Sequence, residues 1–102
     1  MKTTTTLYDV AEHLRTPEEM AAYLEACIDE ADGDAAFIAK ALGDIARAQG
    51  MTQVARDSGL SRESLYKALS GKRSPSFDTI LKVVTALGLR LSASVRSEAE
   101  VT

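Results

Sequence analysis

Aromatic residues are scarce in this chain of 102, with two Phe, three Tyr and no Trp. Hydrophobic residues nonetheless make up 45% of it, so Leu, Ile, Val and Ala must build the core. Cysteine occurs once, as Cys27, which excludes an internal disulfide and a cysteine metal site. A lone thiol fits a reducing compartment. No apolar run approaches the roughly 20 residues of a membrane span, and the opening Met1–Thr6 has no apolar signal core. A soluble, cytoplasmic protein is expected. His13 and Cys27 stand alone on different segments, and no paired acid–base arrangement, metal-ligand cluster or glycine-rich phosphate loop is present. The expectation is therefore a non-enzymatic chain with no catalytic residues, cofactor or metal.

The net charge of −3 hides a division. Residues 1–46 carry three Lys/Arg against ten Asp/Glu, a balance of −7. Residues 47–90 carry eight Lys/Arg against three acids, a balance of +5. Attraction to phosphate depends on the face presented, so an acidic whole does not exclude a nucleic-acid-binding half.

Helix signals follow one another along the chain. Thr16-Pro17-Glu18-Glu19 reads as a capping box with Pro at the first helical position. Met20, Leu24, Cys27, Ile28 and Ala31 then recur at helical spacing to about residue 30. Asp34 caps a second helix over 35–49, with a stripe of Phe37, Ile38, Ala41, Leu42 and Ile45. Gly43 within it costs about 1 kcal/mol relative to Ala, which predicts a close backbone approach. Thr52 is expected to cap a third helix reaching Ser58, and Ser61 a fourth continuing to about Ser70. Pro75-Ser76 opens a fifth, with Phe77, Ile80, Leu81, Val84 and Leu87 on one face. Leu89, Leu91, Ala93 and Val95 alternate with polar residues, a strand pattern. Leu7–Leu14 is ambiguous between strand and irregular structure.

Residues 51–70 carry the functional argument. A helix-turn-helix needs a small residue where its helices cross, a turn residue that tolerates positive φ, and a branched apolar anchor on the second helix. Ala55, Gly59 and Leu65 fill those roles. The outward residues of the second helix would then enter a major groove: Ser61, Arg62, Glu63, Tyr66 and Lys67 are the expected base readers. Arg62 can donate to both acceptors of a guanine edge, and Glu63 can accept from a cytosine amino group. Thr52, Gln53, Ser70, Lys72 and Arg73 are the expected phosphate contacts. A generic helical hairpin is the plainer alternative for this stretch.

The segment Gly71–Pro75 followed by Ile80–Gly88 resembles the fourth-helix start of the Cro/C1-type (XRE-like) repressor fold. More of the chain, about residues 8–93, resembles the HigA-type addiction-module antidote proteins. Tyr23-Leu24-Glu25-Ala26, Ala41–Ala48 and Gly59–Gly71 carry that resemblance. Lys72-Arg73-Ser74 departs from it, since the family pattern there is closer to Glu-Gly-Asn. The resemblance implies an all-α, lambda-repressor-like domain of about five helices with a short C-terminal strand. The chain reads as an acidic extension and helix (1–33), a DNA-binding domain (34–88) and a strand and tail (89–102). The resemblance also implies an antitoxin that represses its own operon and neutralises a RelE/HigB-like mRNA-cleaving toxin. A stand-alone phage-type or metabolic repressor is the alternative, as is a pure protein-interaction domain.

Partners follow from these readings. Double-stranded operator DNA, a small basic toxin and a second copy pairing through residues 89–95 are expected, and no membrane. Toxins that hold RNA present a basic surface, so the acidic N-terminal extension and first helix, with Glu18, Glu25 and Asp29, are the expected toxin contact.

Overall fold

The computed structural model describes residues 14–95, which form five α-helices and, among the described residues, no strand. Helix α1 spans Pro17–Ala31, α2 Ala35–Gln49, α3 Met51–Ser58, α4 Arg62–Ala68 and α5 Phe77–Ala86. No helix among the described residues is long and apolar enough to cross a membrane.

Local chemistry sets most boundaries. The Thr16 hydroxyl accepts from the Glu19 amide at 3.1 Å, while the Glu19 carboxylate accepts from the Thr16 amide at 3.1 Å, closing the capping box. Asp34 accepts from the amides of Ala36 and Phe37, and Ser61 and Ser76 cap α4 and α5 in the same way. Each cap satisfies an amide that the first turn leaves without a partner.

Three sequence expectations shift. Thr52 is not a cap, because Gly50 both ends α2 and begins α3, and Thr52 falls at the second helical position. The Gly50 amide donates to Ala46 O at 2.8 Å and its carbonyl accepts from the Val54 amide at 3.1 Å, so a single glycine turns the chain. Helix α4 stops at Ala68, two residues before Ser70. The segment Leu89–Val95, expected as a strand, has no regular secondary structure. A strand is defined by its ladder, and none of the described residues pairs with this segment. Leu7 to His13 and the tail beyond Val95 lie outside the described residues.

One apolar cluster joins the helices. Leu42 and Ile45 of α2, Val54 of α3, Leu65 of α4, and Val83 and Val84 of α5 are all at most 2% exposed. Helix α3 packs against α2, α4 and α5, while α1 lies on α2 through Met20, Leu24 and Cys27. Ile28, Phe37 and Leu81 belong to the predicted stripes, yet each stays about two-fifths exposed at the edge of its stripe. Phe77, in the predicted stripe of α5, is 67% exposed. It is the first residue of α5.

Candidate nucleic-acid interface

Helix α3 ends in a glycine turn that aims α4. Gly59 adopts φ +78°, and nothing lies within 4 Å of where its Cβ would be, so backbone conformation alone selects glycine there. The Leu60 amide donates to Ala55 O at 3.1 Å and the Gly59 amide to Arg56 O at 3.4 Å, the paired bonds of a Schellman-type helix end. Ala55 is 6% exposed and Leu65 fully buried, so the positions flanking the turn are both packed. Leu69 extends that anchorage, and its amide bonds Leu65 O at 3.0 Å.

Burial of Leu65 and Leu69 leaves the opposite side of α4 in solvent. Ser61, Arg62, Glu63, Tyr66 and Lys67 are all exposed there. The Arg62 guanidinium donates to the Tyr66 hydroxyl at 3.3 Å and lies 5.6 Å from the ring centroid. This cation–π contact one helical turn apart restrains both side chains at the start of α4. Thr52 and Gln53 are exposed in the first turn of α3, whose free amides favour an anion.

The loop after α4 adds further cations. Ser70, Lys72 and Arg73 are exposed, and the Ser70 hydroxyl accepts from the Lys72 amide at 3.2 Å. Gly71, at φ +82°, lies against the α2 residue Lys40, whose Cβ is 3.1 Å from the position a Cβ would take. A cleft of about 320 Å³ opens between α4 and the start of α5. Lys67 and Arg73 line it together with Ser64 and the cap residue Ser76, so charges six residues apart share one recess.

Three residues beside this face, Arg56, Ser64 and Lys40, are not among the expected contacts. Arg56 is exposed on α3 and donates to Gln53 Oε1 at 3.4 Å, while Gln53 donates to Asp57 at 2.9 Å. The i, i+3 spacing of Gln53 and Arg56 was the available signal. Ser64 in the cleft was legible from its position one turn before Ala68. Lys40 was not, because its nearness to Gly71 depends on how α2 packs.

The expected toxin-contact residues lie elsewhere. Glu18, Glu25 and Asp29 are exposed on α1, which carries no Lys or Arg. Helix α1 is fastened to α2 by a part-buried network. The Tyr23 hydroxyl donates to Asp44 Oδ2 at 2.8 Å, and Arg47 donates to Asp44 Oδ1 at 3.0 Å. Burial raises the Tyr23 hydroxyl well above the usual tyrosine range, and the hydrogen bond and charge of Asp44 add to the rise. Burial likewise pushes the Cys27 thiol up, which suits a packing residue rather than a nucleophile. His13 lies outside the described residues.

Comparison with known proteins agrees with the resemblance at the level of family. An uncharacterized protein of Haemophilus influenzae is 53% identical over 83 residues, covering 81% of this chain and 84% of that protein. No solved structure matches the chain. A family model described as "probable addiction module antidote protein" matches residues 4–95, nearly the whole length. The chain therefore belongs to the family of probable addiction module antidote proteins.

Proposed function

We propose that this protein is the antitoxin of a type II toxin–antitoxin module that binds its own operator through α3 and α4. The observation that carries the reading is the face of α4. Arg62, Glu63, Tyr66 and Lys67 project from a short capped helix anchored behind by Leu65, with cations in the loop that follows. Docked by its N-terminal end, such a helix brings Arg62 and Glu63 to base edges. Lys72, Arg73, Ser70 and the first turn of α3 then meet phosphates on either side.

A single reader of this size covers too little DNA for useful affinity, so two copies bind half-sites about one helical turn apart. Leu89–Val95 supplies the two-fold contact by pairing antiparallel with its twin, which gives the segment a ladder it does not have among the described residues. The acidic α1 contacts a small basic toxin of the RelE/HigB kind, leaving the basic half for DNA.

The test pairs a reporter fused to the DNA upstream of the gene with a growth assay. Expression of the chain should silence the reporter, and should restore growth to cells producing the protein encoded beside it. Repression without rescue identifies a stand-alone repressor. Rescue without repression leaves the antitoxin role and removes the DNA reading.

A further inference from the structure

An open groove of about 450 Å³ runs between α1 and the segment that follows α5. Ala21, Leu24 and Ile28 line one wall at helical spacing, and Leu89 and Leu91 line the other. Ala21 gives the groove its depth, because its methyl is the smallest side chain that α1 presents there. Ile28 and Leu91 are 41% and 42% exposed, so apolar surface at this place faces water. Glu18 and Glu25 rim the helical wall, and Arg90 is the lone cation among the described lining residues.

We propose that this groove seats an amphipathic segment of the cognate toxin, its apolar side against Ala21, Ile28 and Leu91 and its Lys/Arg side against Glu18 and Glu25. The proposal rests on the antitoxin reading and sharpens it. The contact becomes a two-walled apolar seat with an acidic rim, rather than an acidic helix face alone. Two other occupants fit less well. Its charged lining residues Glu18, Glu25 and Arg90 are not buried, so no enclosed polar group fixes a small molecule there. A second copy docked groove to groove would oppose α1 to α1, and five carboxylates on each, with no basic residue, would repel. A basic segment meets both the apolar floor and the charge. Asp29, on α1 but outside the groove lining, then acts only at long range on association.

One consequence concerns the C-terminal segment. Residues 88–92 supply the second wall, so toxin capture and the proposed dimer pairing draw on one stretch of chain. Removing residues 89–102 should abolish both.

Ala21 and Ala22 are both exposed on α1, but only Ala21 lines the groove, which gives a matched pair. The experiment titrates the full chain, Ala21→Trp and Ala22→Trp against the purified protein encoded beside it. Circular dichroism melts, sedimentation and binding to upstream DNA accompany each titration. The expected result is a loss of at least about 30-fold for Ala21→Trp, the effect of a hot-spot position. Ala22→Trp should stay within about threefold of wild type, and DNA binding and oligomeric state should be unchanged in both. Should Ala21→Trp melt early, Ile28→Gln must show the same selective loss. Toxin binding by Ala21→Trp equal to wild type, or equal losses at both positions, overturns the groove. A change of oligomeric state confined to Ala21→Trp assigns the groove to a second copy and also overturns it. If the wild-type chain fails to bind the neighbouring protein while still binding DNA, the antitoxin reading itself falls, and the groove proposal with it.

Discussion

Gly43→Ala tests how tightly α2 holds the reading helix. A Cβ built on Gly43 would sit 2.8 Å from Leu69 O, 3.4 Å from Leu69 Cβ and 3.5 Å from the Arg47 guanidinium. The first contact is with backbone, so no side-chain rotation relieves it. Leu69 cannot retreat easily either, being 1% exposed and bonded through its amide to Leu65 O. Alanine gains about 1 kcal/mol in helix propensity over glycine, while overpacking a tight contact costs about 1–3 kcal/mol. The net expectation is a destabilisation of up to about 2 kcal/mol. For a domain of this size, 1 kcal/mol shifts Tm by about 4–8 °C. The remaining strain displaces the C-terminal end of α4, and base-edge hydrogen bonds tolerate only a few tenths of an ångström. Specific DNA binding should therefore weaken more than binding to random sequence. Thermal melts and fluorescence anisotropy on both DNAs measure the two effects. A variant with raised Tm and unchanged operator affinity would refute the reasoning, since propensity would then have prevailed without any clash.

The remaining expectations concern other elements. Gly59→Ala should cost about 1–2 kcal/mol, the strain of a left-handed alanine, although the space around it is open; chemical denaturation measures it. Tyr23→Phe removes a hydrogen bond to a carboxylate and should cost about 1–2 kcal/mol. Because the folded-state Tyr23 hydroxyl titrates above its unfolded value, its contribution is complete below about pH 10 and lost as pH rises beyond it. Wild type should accordingly lose more stability than Tyr23→Phe over about one pH unit either side of the tyrosine reference of about 10. The buried Cys27 thiol should react with a disulfide reagent at least about 100-fold more slowly in native protein than in unfolded protein. Deleting residues 89–102 should yield a monomer by sedimentation, and a dimeric truncation would place the two-fold contact on the helices.

The helices were legible because their signals are local. Thr16 with Glu19, Asp34, Ser61 and Ser76 each announce a start within four residues, and the structure uses all of these caps. Thr52 misled because Gly50, at φ +113°, closes α2 and opens α3 in a single residue, which leaves Thr52 inside the first turn. Alternation at 89–95 gives a pattern but not a partner, so it could not establish a strand within one chain. Gly43 was readable as a costly glycine, yet its neighbour Leu69 is 26 positions away and follows only from packing. For the candidate site, exposure of Arg62, Glu63, Tyr66 and Lys67 followed from burying Leu65 and Leu69. The Arg62–Tyr66 contact, the recess shared by Lys67 and Arg73, and the approach of Lys40 to Gly71 needed the fold.

The most direct test of the central claim is an anisotropy titration of the full chain on the DNA upstream of its gene and on a scrambled duplex, across a salt series. Wild type should prefer the upstream DNA. Arg62→Ala should lose about 1–3 kcal/mol on it and relax the preference at one base pair. Lys72→Ala should weaken both duplexes alike and reduce the salt slope by about one unit. Equal binding of the two duplexes by wild type, or Arg62→Ala indistinguishable from wild type on upstream DNA, would contradict the account.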